Sequence, residues 1–184
     1  MLTRIYAALR TDLKATRKEV DRQIRLVVAG RDGLLGQYDR LRALIEQIRT
    51  VRGKLLRPVL VLLAARSAGA SDVPEAAIRL AAATELLHAA SLIHDDIIDC
   101  SEVRREKVAV HKQFGTQMAV LIGDVLYAQF FTIIARLPVA DAVRVALFDR
   151  FCDVTRGMCL GEMVQQAALN GEIPARERLY QDVI

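Results

Sequence analysis

Three aspartates fall within five positions of one short stretch, "SLIHDDIID" at residues 91–99, at the end of an otherwise apolar run. On a helix, residues four apart share a face, so Asp95 and Asp99 project together while Asp96 turns about 100° away. Two carboxylates at that spacing repel each other. At a helix C-terminus they also oppose the macrodipole, and each effect costs roughly a few tenths of a kcal/mol. A cation would offset both. Mg²⁺ suits the arrangement, because it takes hard oxygen donors, keeps several waters, and is commonly held by one or two carboxylates plus substrate phosphates. Taken alone, three aspartates are equally well read as the place where a buried helix reaches solvent.

The neighbouring charges favour the metal. Lys54 and Arg57, in "GKLLRP", stand three apart on one side of a turn, and Arg104 and Arg105 follow Asp99 by five and six positions. Arg grips phosphate through a planar fork and Lys acts as a point charge. Either basic pair alone reads as a solvated face; two of them flanking a carboxylate pair suit a metal-bridged diphosphate. His88, one heptad before Asp95, and Ser91 lie near the same stripe. His94 reads as a core or supporting histidine, since Mg²⁺ prefers oxygen. A di-iron bundle on Glu85, His88 and Asp95 lacks the carboxylate and His pairs needed from other helices.

Around these residues the pattern is helical. Residues 2–28 place Leu2, Ile5, Leu9, Leu13, Val20, Ile24 and Val27 at three- and four-residue spacing. "AGRDGLLG" interrupts them. A second helix starts near Tyr38 with Leu41, Leu44, Ile45, Ile48 and Val51 on one stripe. Pro58 opens a short, heavily buried helix closed by Gly69. Asp72 and Glu75 read as a capping box for a helix running through the aspartates, apolar nearly all round and therefore central. "CSEVRREKVAVHKQFG" reads as an irregular polar loop. Residues 116–137 form another apolar helix stopped by Pro138, and 141 to about 168 a further one with "NGEIP" as its exit. No internal repeat or linker interrupts the 184 residues, so one all-α domain is expected.

The composition narrows the function classes. Net charge is +4, from Arg scattered without basic runs or interleaved aromatics; this points away from nucleic acid and toward a small anionic ligand. Cys100, Cys152 and Cys159 form no paired motif, which suits a reduced cytoplasmic setting, with Cys152 and Cys159 as buried hydrophobes. The N-terminus has no apolar segment of signal-peptide length, and uncharged apolar runs such as "PVLVLLAA" fall short of a membrane span. A soluble protein without stable membrane insertion is expected.

In combination, "GKLLRP", "ELLHAASLIHDDIID", "RR" four residues later, "HKQFG" and "GDVLYAQFF" resemble the trans-type polyprenyl diphosphate synthases, from about Tyr38 to Glu162. The resemblance implies an isoprenoid-synthase-type helical bundle around a central cavity, usually a homodimer. It implies that Asp95 and Asp99 ligate Mg²⁺ on an allylic diphosphate, that Asp96 supports them, and that Arg104 contacts the same diphosphate. Gly53, Lys54, Arg57, His88 and Arg105 would hold isopentenyl diphosphate. The reaction would be Mg-dependent condensation of the two to an all-trans polyprenyl diphosphate.

Residues four and five before Asp95 lie about one turn deeper. In the family, bulky aromatics there stop elongation; here Ala90 and Ser91 are small, with Leu87 and Thr84 one turn further. The resemblance thus implies a long-chain product, with Phe130 or Phe131 as other candidates for a floor.

The family pattern is also departed from. Arg52 replaces a glycine before the Lys, and Glu106 replaces a glycine after the Arg pair. The family's Lys-Thr pair, a later Gln and a second aspartate-rich motif would all lie beyond Ile184. The preferred expectation is the N-terminal part of a longer synthase, because the first motif is intact and the sequence stops as a helix begins. The alternatives are an inactive homologue and a catalytically incomplete subunit of a two-chain synthase, which binds a complementing chain through small residues such as Gly157 and Gly161 and shapes its tunnel.

Overall fold

A computed structural model of the chain describes residues 2–29, 38–50, 53–69 and 72–172. The described chain is helical apart from one small hairpin. Its elements are α1 (Leu2–Ala8), α2 (Arg10–Ala29), α3 (Asp39–Thr50), α4 (Leu56–Ser67), α5 (Glu75–Ile98), β1 (Val103–Arg104), β2 (Lys107–Val108), α6 (Val110–Phe114), α7 (Thr116–Ala135) and α8 (Asp141–Leu169). By internal contacts the chain divides into two units, Met1–Pro138 and Val139–Ile184. The segments "AGRDGLLG", apart from its first residue, and "ARERLYQDVI" lie outside the described residues.

In the first unit α5 is the central element, packed against α2, α4, α6 and most extensively α7. Its Ala77, Ala81, Ala82, Ala83 and Ala90 are buried, and their small side chains let neighbouring helices approach closely. From α7, Ala119, Ile122, Leu126, Phe130, Ile133 and Ile134 are buried. Phe130 is fully enclosed and meets Phe131 edge-on at 5.1 Å. α5 and α7 are long and apolar enough to cross a bilayer by length and composition alone. The short apolar runs of the sequence understated this, because helices join runs across isolated polar residues. In the fold the two helices form the core pair.

The amphipathic stripe expected along residues 2–28 is realised as two helices meeting at Leu9. Leu9 and Leu13 join Leu55, Val59, Leu62 and Ala81 in one buried cluster, with Ile5 and Tyr6 packed on it. α4 is less buried than expected: Pro58, Val59 and Leu62 face the core while Leu56 and Leu60 are exposed. Farther along α2, buried Gln23 accepts a hydrogen bond from Gln129 of α7, a polar tie between the helices.

Two local expectations are corrected. Asp72 does not cap α5: the helix starts one residue after Pro74, whose φ of −66° and ψ of 153° are already extended, and no side chain caps it. Glu75 therefore sits at the first helical position and pairs with Arg79 at 2.6 Å. The loop expected at 100–115 is ordered as the β1–β2 hairpin and α6. Val103 pairs with Val108 and Arg104 with Lys107, so the turn is Arg105–Glu106, and both residues have positive φ, 52° and 66°. Positive φ at both central positions is the signature of a type I′ turn, normally filled by Asn-Gly.

Cys152 and Cys159 differ from expectation, since both are exposed, as is Cys100. Cys152 and Cys159 lie on α8, which carries no buried residue.

Candidate active site

The last turn of α5 is fixed by its backbone. Cys100 adopts φ 52°, its N–H donates to the Ile97 carbonyl at 3.2 Å, and the Ser101 N–H donates to the Asp96 carbonyl at 2.9 Å. This is a Schellman closure with Cys where Gly is usual. It ends the helix immediately after Asp99, on the turn that carries the carboxylates.

The three aspartates then separate by face. Asp95 is half-buried and Asp99 exposed, on the face shared with Thr84, Leu87, His88 and Ser91, all half-buried. Asp96 is only 3% exposed, and its Oδ1 accepts hydrogen bonds from Nε of Arg104, at 2.7 Å, and from Nη2. Its one-residue offset turns Asp96 away from Asp95 and Asp99, and its charge is engaged by Arg104 instead of facing the same side as theirs. Conversely, Arg104 is held by Asp96 first, and these bonds raise its already high pKa. Nη1 is the part of its guanidinium that Asp96 does not engage.

A second group assembles in a cleft of about 640 Å³ lined by Gly53, Lys54, Arg57, Glu85, His88 and Arg105, together with Leu55 and Leu56. All five residues expected to hold isopentenyl diphosphate are thus brought together, from the turn before α4 and its first turn, from α5 and from the hairpin. The N-terminus of α4 opens here with no side-chain cap, so the positive end of its dipole adds to the basic side chains. Beside the cleft, a smaller cavity of about 50 Å³ is lined by Leu92, Ile93, Asp96 and Arg104 among others, and shares Glu85, His88 and Arg105 with it.

Glu85 was not among the expected diphosphate residues. It is buried on α5, one turn before His88, and borders both spaces. The Glu-x-x-His spacing is the signal that places it beside His88.

Gly53 has a steric reason. A Cβ there would lie 2.6 Å from Nη2 and 2.8 Å from Nη1 of Arg105. Gly53→Ala should therefore push the Arg105 guanidinium aside while leaving the core intact. Diphosphate affinity should fall about tenfold, the weight of a charge-assisted contact, with an unchanged melting temperature; calorimetric titration with inorganic pyrophosphate and a thermal melt measure the two.

His88 has its pKa lowered to about 4, by burial first and then by Arg57, Arg105 and Arg104. The imidazole is neutral at pH 7 and can donate one hydrogen bond without adding charge. Because its folded pKa lies below the unfolded value, its contribution to stability is complete above about pH 6.5 and is lost as pH falls toward 4. A bound anion counters the arginines. An NMR titration of His88 should show its pKa rising on addition of pyrophosphate; a pKa that stays put would mean the anion binds elsewhere.

Among the non-glycine residues with positive φ in the described chain, Leu55 and Arg105 line the cleft, while Cys100 follows Asp99 and Glu106 follows Arg105. Such conformations cost of order 1–3 kcal/mol each and gather at functional sites. His94 is placed as a support: its ring stacks on Tyr127 at 6.2 Å, its Nε2 lies 3.2 Å from the Val120 carbonyl, and a Cβ on Gly123 would meet it at 2.1 Å. Gly123 thus makes the space by which His94 of α5 seats on α7.

Ala90 is fully buried, and like Ser91 and Leu87 it lines neither the cleft nor the cavity. Five residues from Asp95, it is rotated about 140° from that carboxylate, whereas Ser91 is only about 40° away. Ser91, whose hydroxyl donates to the His88 carbonyl at 3.0 Å, and Leu87 remain on the Asp95 face.

The model of the polyprenyl synthetase family matches residues 38–184. The chain belongs to that family. It is 38% identical over 128 residues to solanesyl-diphosphate synthase 2 of Oryza sativa subsp. japonica, covering 67% of this chain and 30% of that protein. Among solved structures it resembles a decaprenyl diphosphate synthase from Rhodobacter capsulatus, with a TM-score of 0.78 and 27% identity, covering 99% of this chain and 51% of that one. It also resembles a polyprenyl synthase from Caulobacter crescentus CB15 complexed with calcium and isoprenyl diphosphate, with a TM-score of 0.77 and 29% identity over 100% of this chain and 51% of that one. The fold is the helical fold of the isoprenoid synthases. This polyprenyl synthetase chain spans about a third to a half the length of these relatives.

Proposed function

We propose that the protein of which this chain carries the aspartate-rich wall condenses isopentenyl diphosphate with an allylic diphosphate to extend an all-trans polyprenyl diphosphate. One observation carries the reading. The basic cleft of Lys54, Arg57, His88 and Arg105 and the Asp95–Asp99 face both draw on helix α5, and the Asp96–Arg104 ion pair lines the cavity that adjoins the cleft. Two anion-binding environments of different chemistry, side by side, suit two diphosphates with different roles.

The donor set fits Mg²⁺. Asp95 and Asp99 are hard oxygen donors on one face at the solvent-facing end of α5, and no group of three His, Cys, Asp or Glu side chains converges among the described residues. Two carboxylates with water and diphosphate oxygens completing the shell is the usual Mg²⁺ arrangement. Asp95 and Asp99 would hold the Mg²⁺, whose charge would stabilise the departing allylic diphosphate. Arg104, oriented by Asp96, adds a fixed positive charge beside the same leaving group. The cleft residues hold isopentenyl diphosphate by its charge so that its double bond meets the allylic carbon, and neutral His88 donates a hydrogen bond without repelling the arginines. The allylic C–O bond breaks, the new C–C bond forms, and a proton is lost from the isopentenyl unit. Incubating the full protein with both diphosphates and Mg²⁺ tests this: extended product, abolished by chelator, is expected. Absence of product from this protein, with product restored by a complementing chain, would favour the two-chain alternative; sedimentation would separate a homodimer from that heterodimer.

The product is read as long-chain, because Ser91 and Leu87 leave the Asp95 face free of aromatics. Ser91→Phe should shorten the product by closing that face one turn below Asp95. Ala90→Phe should instead destabilise the fold by about 1–3 kcal/mol through overpacking. Chain-length analysis of products and denaturant melts check both; an unaltered product from Ser91→Phe would remove the tunnel from this face.

A further inference from the structure

We propose that Tyr6 is a positioning residue for the basic cleft: its hydroxyl, donating to the Lys54 carbonyl, holds the Lys54–Leu55 peptide in the orientation that keeps Lys54 on the cleft wall. The inference rests on the reading of that cleft as a diphosphate site. Tyr6 lies on α1, before the residues matched by the family model, which begin at 38. Its hydroxyl reaches across 48 residues of sequence to the Lys54 carbonyl at 2.5 Å.

Lys54–Leu55 is a peptide with a reason to move. Leu55 has φ 54° and ψ 37°, the left-handed region, in a residue with a branched side chain and no local polar group to compensate. Rotating the peptide that joins it to Lys54 would let φ return to negative values. Two restraints oppose this. The Leu55 side chain is 2% exposed, embedded in the cluster with Leu9, Leu13, Val59 and Leu62. The Lys54 carbonyl, on the other side of the same bond, is held by the Tyr6 hydroxyl, while the Tyr6 ring packs on that cluster. Side-chain burial fixes where Leu55 sits, but it does not fix which way the preceding carbonyl points. That direction is what Tyr6 determines. Lys54 and Leu55 both line the cleft, so a turned peptide changes the wall that meets the anion. The strained conformation is retained because α1 supports it from outside the site.

Tyr6→Phe isolates the hydroxyl, since the ring keeps its packing. Calorimetric titration of the full chain with inorganic pyrophosphate should show affinity reduced about fivefold, the weight of one hydrogen bond of ordinary strength, with a melting temperature close to wild type. Lys54→Ala should weaken binding in its own right. The double variant should bind no more weakly than Lys54→Ala alone, because Tyr6 acts through Lys54. Unchanged affinity in Tyr6→Phe, or losses that add in the double variant, overturns the proposal while the cleft remains a diphosphate site. A wild-type chain that does not bind pyrophosphate overturns the cleft reading and the proposal together.

Discussion

Arg104→Ala is expected to destabilise the fold by about 3 kcal/mol, and Asp96→Asn by about 1 kcal/mol. The asymmetry follows from where the two charges sit. The Asp96 side chain is 5% exposed and that of Arg104 31%. Removing the arginine strands a carboxylate in the core with no water to solvate it, which is the costly way to break a buried pair. Removing the carboxylate's charge leaves a guanidinium that already reaches solvent, and the amide oxygen of Asn still accepts one of its hydrogen bonds. Urea denaturation of the two variants measures the difference. Equal losses, or a larger one for Asp96→Asn, would mean that Asp96 is not the buried anchor of the hairpin. Turnover should fall in both variants, because Arg104 is either absent or no longer aimed.

Asp95→Asn and Asp99→Asn should behave in the opposite way. Each is expected to lower turnover by about 10²–10³-fold, the usual effect of removing one preorganised electrostatic contact in a transition state. Stability should not fall with it. Asp99 is exposed and Asp95 half-buried, and the like-charge repulsion and unfavourable dipole relieved by neutralising either one offset the attraction to Arg104 that is lost, leaving a change far smaller than that of Arg104→Ala. Steady-state kinetics with an allylic and isopentenyl diphosphate, alongside thermal melts, separate the two quantities. A loss of turnover accompanied by an equal loss of fold would place these carboxylates with Asp96 as structural residues.

Much of the helical architecture could be read from periodicity and punctuation. The apolar character of α5 on every side marked it as central, and Pro138 set the end of α7. What could not be read depended on contacts between distant segments or on turn conformation. The type I′ turn at Arg105–Glu106 carries no Asn or Gly, so nothing in the sequence announced a hairpin; its Glu106 occupies a position where the family often has glycine and where φ is 66°. The partnership of Asp96 with Arg104 joins a helix end to that hairpin, so the partner that engages Asp96 could be seen only once the hairpin was in place. The basic residues alone were legible only as two pairs; their grouping with His88 came from the family resemblance, and the packing of α4 and the hairpin on α5 brings them to one cleft.

The central claim is that two diphosphates bind here by different chemistry, one in the basic cleft and one through Mg²⁺ at Asp95 and Asp99. Calorimetric titration of the full protein with each substrate, with Mg²⁺ and with chelator, tests it most directly. Isopentenyl diphosphate should bind under both conditions, the allylic diphosphate should require Mg²⁺, and Asp95→Asn should abolish only the second. Equal dependence of both ligands on Mg²⁺, or loss of both in Asp95→Asn, would contradict it.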